Sequence, residues 1–340
     1  MKSLLFIASN IGVKNNAQFT RSNEFSKVFQ ETGYVLRGKS KFRKAIALPS
    51  LDLLYMETAA NRISVGDFLA LLILRAKTDF LVIYIRDVYC EYYKEKFKGL
   101  RKKISFIANR ISYYLYALLS NCLVFPTIDM GNYFYAKNKF PIRKLSNLPP
   151  GVPIPEKNRA FPDFNKKMGI LYLGNPNAYD SDFERFLQFA KMYQDKFIFF
   201  VLASNADYYN DIPYIKVELI EHSKIISYLE SNNIAFALHA RHRNGYDDMT
   251  FRIRTMDFIS FYLPFITDEH KPIMATLGEN YPLFCEMDNE KIYNLINQYN
   301  NQEKYTFVYN YLKNILIENT YKKRYEKLKD LYQEYSEIKE

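Results

Sequence analysis

The chain has 340 residues, 48% of them hydrophobic and 17% aromatic, with a formal net charge of +10. That length exceeds what one hydrophobic core fills, so two domains are expected, and the apolar content excludes wholesale disorder. The basic balance favours anionic partners: phosphorylated small molecules, anionic lipid headgroups or nucleic acid.

The opening "MKSLLFIASN" holds a short apolar run broken at Asn10 and no small-residue cleavage site, which reads as a cytoplasmic chain rather than a secreted one. No run approaches the roughly 18 uninterrupted apolar residues of a membrane span. Strands are expected at Ser3–Ser9, Tyr34–Arg37, Asp79–Ile85 and Cys122–Pro126, and a helix over Thr20–Glu31 closed by Gly33 at its C-cap. After the first strand comes "NIGVKNNAQFTRSNEF", in which Gly12 is the sole glycine; Thr20 and Arg21 there either face an anionic ligand or serve as a helix cap and a solvated cation. Basic charge concentrates in Lys39–Lys44 and Lys94–Lys103. The second run leads into "ISFIANRISYYLYALLSNCLVF". This pattern suits either an anionic membrane surface or a core-facing helix, Ile104–Leu119, with a solvated basic flank.

"SNLPPGVPIPEKNRAFPDFNKK", 146–167, has the proline-rich polar composition of a linker. The strand rhythm restarts at Met168–Asn175 and continues at Lys196–Ser204, Tyr214–Ile220, Asn233–Ala240 and Leu263–Thr267. Continuous apolar strands separated by helices indicate parallel sheets covered on both faces. The expected fold is α/β, with two Rossmann-like doubly wound domains facing across a cleft: residues 1–150, residues 151–318, and a charged terminal helix over 319–340. That last segment, "YKKRYEKLKDLYQEYSEIKE", either crosses back to the first domain or extends into solvent.

Neither half carries GxGxxG after its first strand, and no GxxxxGK[ST] occurs, which disfavours a dinucleotide dehydrogenase and a P-loop NTPase. Cys90, Cys122 and Cys285 lie far apart, and His222, His239, His242 and His270 have no metal-binding spacing, so neither a disulfide framework nor a metal is expected. The informative stretch is "DDMTFRIRTMDFISFYLPFIT", Asp247–Thr267, read as a loop, a helix from Thr250 to Tyr262 and a strand. It sets Arg252 and Arg254 at the positive end of a helix dipole, where cations are unfavourable unless an anion joins them. A nucleotide diphosphate answers that, with its phosphates on the guanidinium groups and its ribose on Asp257. The alternative is that both arginines pair with Asp247, Asp248 and Asp257.

"TFRIRTMDFISFYLPFIT" resembles the donor-site segment of two-domain (GT-B) glycosyltransferases of the large retaining nucleotide-sugar family, group 1 or family 4-like. Thr250, Phe251, Arg252, Arg254, Thr255, Asp257, Leu263 and Pro264 match its "[ST]FRTR..DY...GLP" pattern, while Ile253 and Tyr262 depart from it. "ILYLGN" (Ile170–Asn175) resembles the opening of the family's second domain, "LPPGVPIP" its interdomain hinge, and "EHSKIISYLESNNIAFAL" the helix and strand ahead of its donor loop. The resemblance implies a hexosyltransferase-type enzyme using a UDP- or GDP-linked sugar, retaining and without a metal or other cofactor. It implies a glycan, lipid-linked or other acceptor, in polysaccharide biosynthesis, and no nucleic-acid partner. Donor contacts are expected from Gly174, Asn175, His239, Arg241, Asp247, Asp248, Thr250 and Asp257, leaving-group stabilisation from Arg252 and Arg254, and acceptor orientation or deprotonation from Asp87. Other readings are a sugar-nucleotide epimerase of the same fold, and a non-enzymatic basic protein that binds membrane or nucleic acid.

Overall fold

The computed structural model describes all residues except 10–16, 59–61, 178–180, 204–208, 210, 242, 243 and 340, and leaves out the side chains of 17–19 and 96. The two apolar rhythms form two separate parallel sheets. The first contains β1 (Ser3–Ile7), β2 (Gly33–Leu36), β3 (Leu51–Glu57), β4 (Thr78–Tyr84), β5 (Cys122–Phe125) and β6 (Leu145–Asn147), in the order β2-β1-β3-β4-β5-β6. The second contains β7 (Gly169–Leu173), β8 (Ile198–Leu202), β9 (Lys216–Glu218), β10 (Ile234–Leu238) and β11 (Phe265–Ile266), in the order β11-β10-β7-β8-β9. In each sheet the chain winds outward from its first strand and then returns to that strand's other side. The order therefore reverses beside β1 and beside β7, the points where such sheets bind ligands outside the strands' carboxyl ends.

The chain divides into two compact units: Met1–Gly151 with Met249–Phe251 and Tyr321–Glu340, and Val152–Asp248 with Arg252–Thr320. The terminal helix, Tyr321–Lys339, is thus part of the first unit and does not extend into solvent. Arg324 donates to the Pro150 carbonyl at 3.4 Å and Lys327 to Asn147 Oδ1 at 3.2 Å, and Tyr321, Tyr325, Leu328 and Leu331 join Leu5, Phe25, Phe29, Leu53, Tyr55, Phe80 and Val82 in one core. The ring of Tyr321 meets Phe25 edge-on at 5.0 Å, Tyr325 meets Phe29 at 4.8 Å, and the Tyr325 and Ser3 hydroxyls are 2.9 Å apart. Gly151 lies so close to the Tyr321 ring that a Cβ would come within 2.7 Å of it.

Several local expectations change. Gly33 is the first residue of β2, beside Ser3 of β1, and is not the cap of the preceding helix, which runs Ala17–Thr32. Gly12 falls outside the described residues. Arg21 is neither solvated nor open to a ligand. At 3% exposure its Nε donates to Glu57 Oε1 at 2.8 Å and its Nη2 to the Tyr55 hydroxyl at 3.0 Å, so it ties the first helix to β3. The proline-rich segment is partly packed: Arg159 is buried in the second unit, donating to the Tyr305 hydroxyl at 3.0 Å and to the Ile234 carbonyl.

The helix after the second basic run spans Leu100–Leu119 and has both a core-facing side and an exposed apolar side. One face buries Phe106, Tyr113, Tyr116 and Ala117, while Leu100, Ile104, Ile107, Ile111, Tyr114 and Leu118 are exposed at alternating spacings of four and three. Among the described residues no helix is long and apolar enough to cross a membrane.

Candidate functional site in the second unit

Gly174 directly follows β7 with φ +115°, a region that residues with a Cβ rarely adopt. Any Cβ there would stand 2.3 Å from Arg254 Nε and 2.5 Å from its Cζ. The missing side chain is what lets the Arg254 guanidinium lie on the backbone at the strand's carboxyl end, 5.9 Å from the Tyr172 ring. Arg254 sits in the first turn of the helix Ile253–Ser260. That helix starts three residues later than the sequence suggests. Arg252 is therefore its extended N-cap residue and provides no side-chain cap, which leaves first-turn N–H groups in need of an acceptor.

The two arginines differ in their partners. Arg252 is ion-paired with Asp247, whose carboxylate is wholly buried. Further carboxylate contacts in this region join Arg241 Nε to Asp268 Oδ1 at 3.5 Å, His270 Nε2 to Asp248 Oδ1 at 3.9 Å, and His222 Nε2 to Asp257 Oδ1 at 3.4 Å. Among the described residues no carboxylate lies within ion-pair distance of Arg254. The alternative reading, in which both arginines are locked in carboxylate pairs, describes Arg252 alone. The buried Thr255 hydroxyl, also in the first turn, has no hydrogen-bond partner. A half-buried cation, an uncapped helix start and an unsatisfied hydroxyl together favour an anion.

His239 follows β10 and is 3% exposed, with its Nδ1 3.5 Å from the Thr267 hydroxyl and its ring against Phe258 and Phe265. Burial, followed by the charges of Arg241, Arg254, Arg252 and His270, holds its pKa well below the ordinary histidine value, so the ring is neutral at pH 7. Those same charges show that three arginines and two imidazoles crowd this strand edge. Arg241 is 5% exposed and bridges Ser181 through the backbone. Asn175 is exposed and accepts the Asn177 N–H at 2.9 Å, which shapes the turn after Gly174. Sequence reasoning assigned no role to His222, whose ring lies tilted against Phe261 at 5.2 Å and whose Nε2 is 3.4 Å from Asp257 Oδ1; its one sequence signal is its place ahead of the helix leading into β10.

Thr250 and Asp87 belong to the first unit. Thr250 is 7% exposed and its hydroxyl has no hydrogen-bond partner. Asp87, just beyond β4, accepts the Tyr89 N–H at 3.2 Å and lies 3.9 Å from Arg86. Burial raises its carboxyl above the ordinary value, with Arg86 pulling the other way. Among the described residues no group of three or more His, Cys, Asp or Glu side chains is placed to hold a metal ion.

The fold is that of the two-domain (GT-B) glycosyltransferases. The chain is similar to sucrose-phosphate synthase from Thermosynechococcus elongatus, with a TM-score of 0.63 at 9% identity over 99% of this chain and 100% of that one. It is similar also to a DNA-modifying β-glucosyltransferase studied with and without uridine diphosphoglucose, at TM-score 0.56 and 12% identity over 98% and 99% of the two chains. A pneumococcal O-GlcNAc transferase in complex with UDP and GlcNAc gives 0.51 at 14% identity, over 86% of this chain and 58% of that one. The chain thus spans the whole of the first two and little more than half of the third. No protein-family model matches it, and no curated protein sequence does.

Proposed function

We propose that the protein is a glycosyltransferase that moves a hexose from a nucleoside-diphosphate sugar to an acceptor hydroxyl, with retention of configuration and without a metal. The observation that carries this reading is the Arg254 guanidinium lying on Gly174 where the second sheet reverses its strand order. UDP and uridine diphosphoglucose are the nucleotides named for two of the similar structures, and a UDP- or GDP-linked donor suits this site. Cleavage at the anomeric carbon puts negative charge on the departing diphosphate. Arg254, the N–H groups of the helix start and the Thr255 hydroxyl are donors fixed in advance for that charge. Arg252, held by Asp247, adds field from one layer behind, and Asp257 takes the ribose hydroxyls. Gly174 and Asn175 give the backbone turn against which the phosphates lie, while Arg241, Asp248 and neutral His239 are further donor contacts.

Thermal unfolding with UDP and GDP in the presence of a chelator tests this. Ligand at a hundred times its Kd stabilises the native state by about 2.7 kcal/mol. Gly174→Val is expected to abolish the effect, because its side chain occupies the space of the Arg254 guanidinium. Stabilisation that needs a divalent cation removes the metal-free part of the proposal. Stabilisation by oligonucleotides or vesicles alone, with none by any nucleoside diphosphate, replaces the enzyme by a basic binding protein.

Asp87 is assigned the acceptor hydroxyl, which it orients or deprotonates. A base works as its carboxylate, so activity is present above its pKa and lost as pH falls through it. Because burial raises that pKa, the loss begins at a higher pH than for an ordinary aspartate. Asp87→Asn is expected to remove the acidic limb of the pH–rate profile and lower kcat about 10²- to 10⁴-fold. An unchanged limb in the variant takes Asp87 out of the reaction.

The partner surface assigned to the first unit is an anionic membrane on its cytoplasmic side. The six exposed apolar side chains of Leu100–Leu119 form one stripe, and Arg101, Lys102, Lys103 and Arg110 give that helix four positive charges and no acidic residue. Vesicles containing a third phosphatidylglycerol should sediment with the protein. Replacing Lys102 and Lys103 by Glu should weaken this by about 1 kcal/mol or more per residue. Equal sedimentation of both proteins with neutral vesicles would leave the charges without a role.

A further inference from the structure

The first unit holds a cavity of about 320 Å³ that the donor chemistry does not use, at the carboxyl ends of β1 and β2. Its described lining includes Ser9, Ser22, Arg37, Gly38, Lys39 and Lys41. Lys41 is 4% exposed and is neutralised by Asp67, 2% exposed, at 2.6 Å; its ammonium also donates to Ser9 Oγ at 2.9 Å. Ser9 in turn donates its backbone N–H and its hydroxyl to Asp67 at 2.7 and 3.0 Å, so this wall is braced. Arg37 and Lys39 are exposed, with no carboxylate partner among the described residues, and leave the cavity with two uncompensated positive charges. Ser22 supplies the independent sign of a missing ligand. It lines the same cavity at 4% exposure, and its hydroxyl has no hydrogen-bond partner. A buried donor left unsatisfied costs about 1–3 kcal/mol, so such groups usually have an occupant to meet them.

We infer that this cavity binds a phosphate monoester, and, resting on the glycosyltransferase reading, that the acceptor carries it. A dianion balances the two free charges where a single carboxylate leaves one over. The arginine fork and the ammonium hold its oxygens from outside while the Ser22 hydroxyl donates from within. The acceptor class is then a phosphorylated sugar or a lipid phosphate, which share this headgroup.

The test is calorimetric titration of the full chain with inorganic phosphate, in an Arg254→Gln background that silences the other anion site. The double variant Arg37→Gln/Lys39→Gln should weaken phosphate about tenfold or more, the equivalent of one charge-assisted hydrogen bond. Ser22→Ala removes an unsatisfied group, so it should leave the ligand-free protein at least as stable while also weakening phosphate. Glucose 1-phosphate and a short-chain phosphatidic acid, titrated in parallel, assign the source by which binds more tightly. Absence of phosphate binding, or binding unaltered in both variants, overturns the inference. Nucleoside-diphosphate binding in the parent protein is read separately, so a failure here leaves the donor reading standing, and the reverse also holds.

Discussion

Replacing Arg254 with glutamine is expected to lower kcat/KM for sugar transfer about 10²- to 10³-fold, the range found when one preorganised donor to a developing negative charge is removed. The loss should fall mainly on kcat, because the diphosphate gains its full charge only as the glycosidic bond breaks. The fold should survive, since among the described residues no carboxylate is left unpaired by the change. Arg254→Lys keeps the charge but loses the planar fork, and should recover only part of the rate. Arg252→Gln should behave differently: it strands the wholly buried Asp247 and therefore costs stability as well as activity. An Arg254→Gln enzyme with a wild-type rate would detach the Gly174 contact from the chemistry.

A chain ending at Thr320 should fail to fold its first unit. Tyr321, Tyr325, Leu328 and Leu331 are core residues there, and each buried side chain of this kind contributes about 1.5–3 kcal/mol. Four of them are comparable with the whole stability of a domain, about 5–15 kcal/mol. Calorimetry should show the first unit's unfolding transition gone and the second unit's transition retained, and Leu328→Ala should cost about 2–5 kcal/mol. Two unchanged transitions in the shortened protein would mean that the helix is dispensable.

The strands legible in the sequence were those that parallel burial makes continuously apolar, such as β1, β7 and β10. β3, at the middle of its sheet, was missed because "LDLLYME" mixes acidic residues with strong helix formers, and only its neighbours make it a strand. β6 is three half-buried residues, too short to show a period. In the site, Gly174 and Arg254 were both named, but the contact between them was not legible. They are far apart in the chain, and only the β7–β10 pairing brings their loops to one edge. Local spacing did expose the chance that Asp247 holds Arg252. It could not reveal that Arg254 has no carboxylate partner among the described residues, because that depends on where the helix begins. The charges of the terminal helix left its course open between solvent and the first domain, since its tyrosines are amphipathic and their burial depends on a sheet far earlier in the chain.

Gly151 packs on Tyr321 within the first unit, and Val152 bridges Thr320 and donates to the Asn319 carbonyl at 2.7 Å within the second. The first exit from the N-terminal unit and the last return to it therefore lie side by side, while Met249–Phe251 make a separate visit to that unit in between. Another module spliced in place of residues 152–320 would meet both ends at one place, but it would also have to replace Met249, whose carbonyl accepts from the Thr127 hydroxyl. The topology also imposes an order on biosynthesis, because the N-terminal sheet emerges first from the ribosome yet waits for the final twenty residues before its last surface is covered.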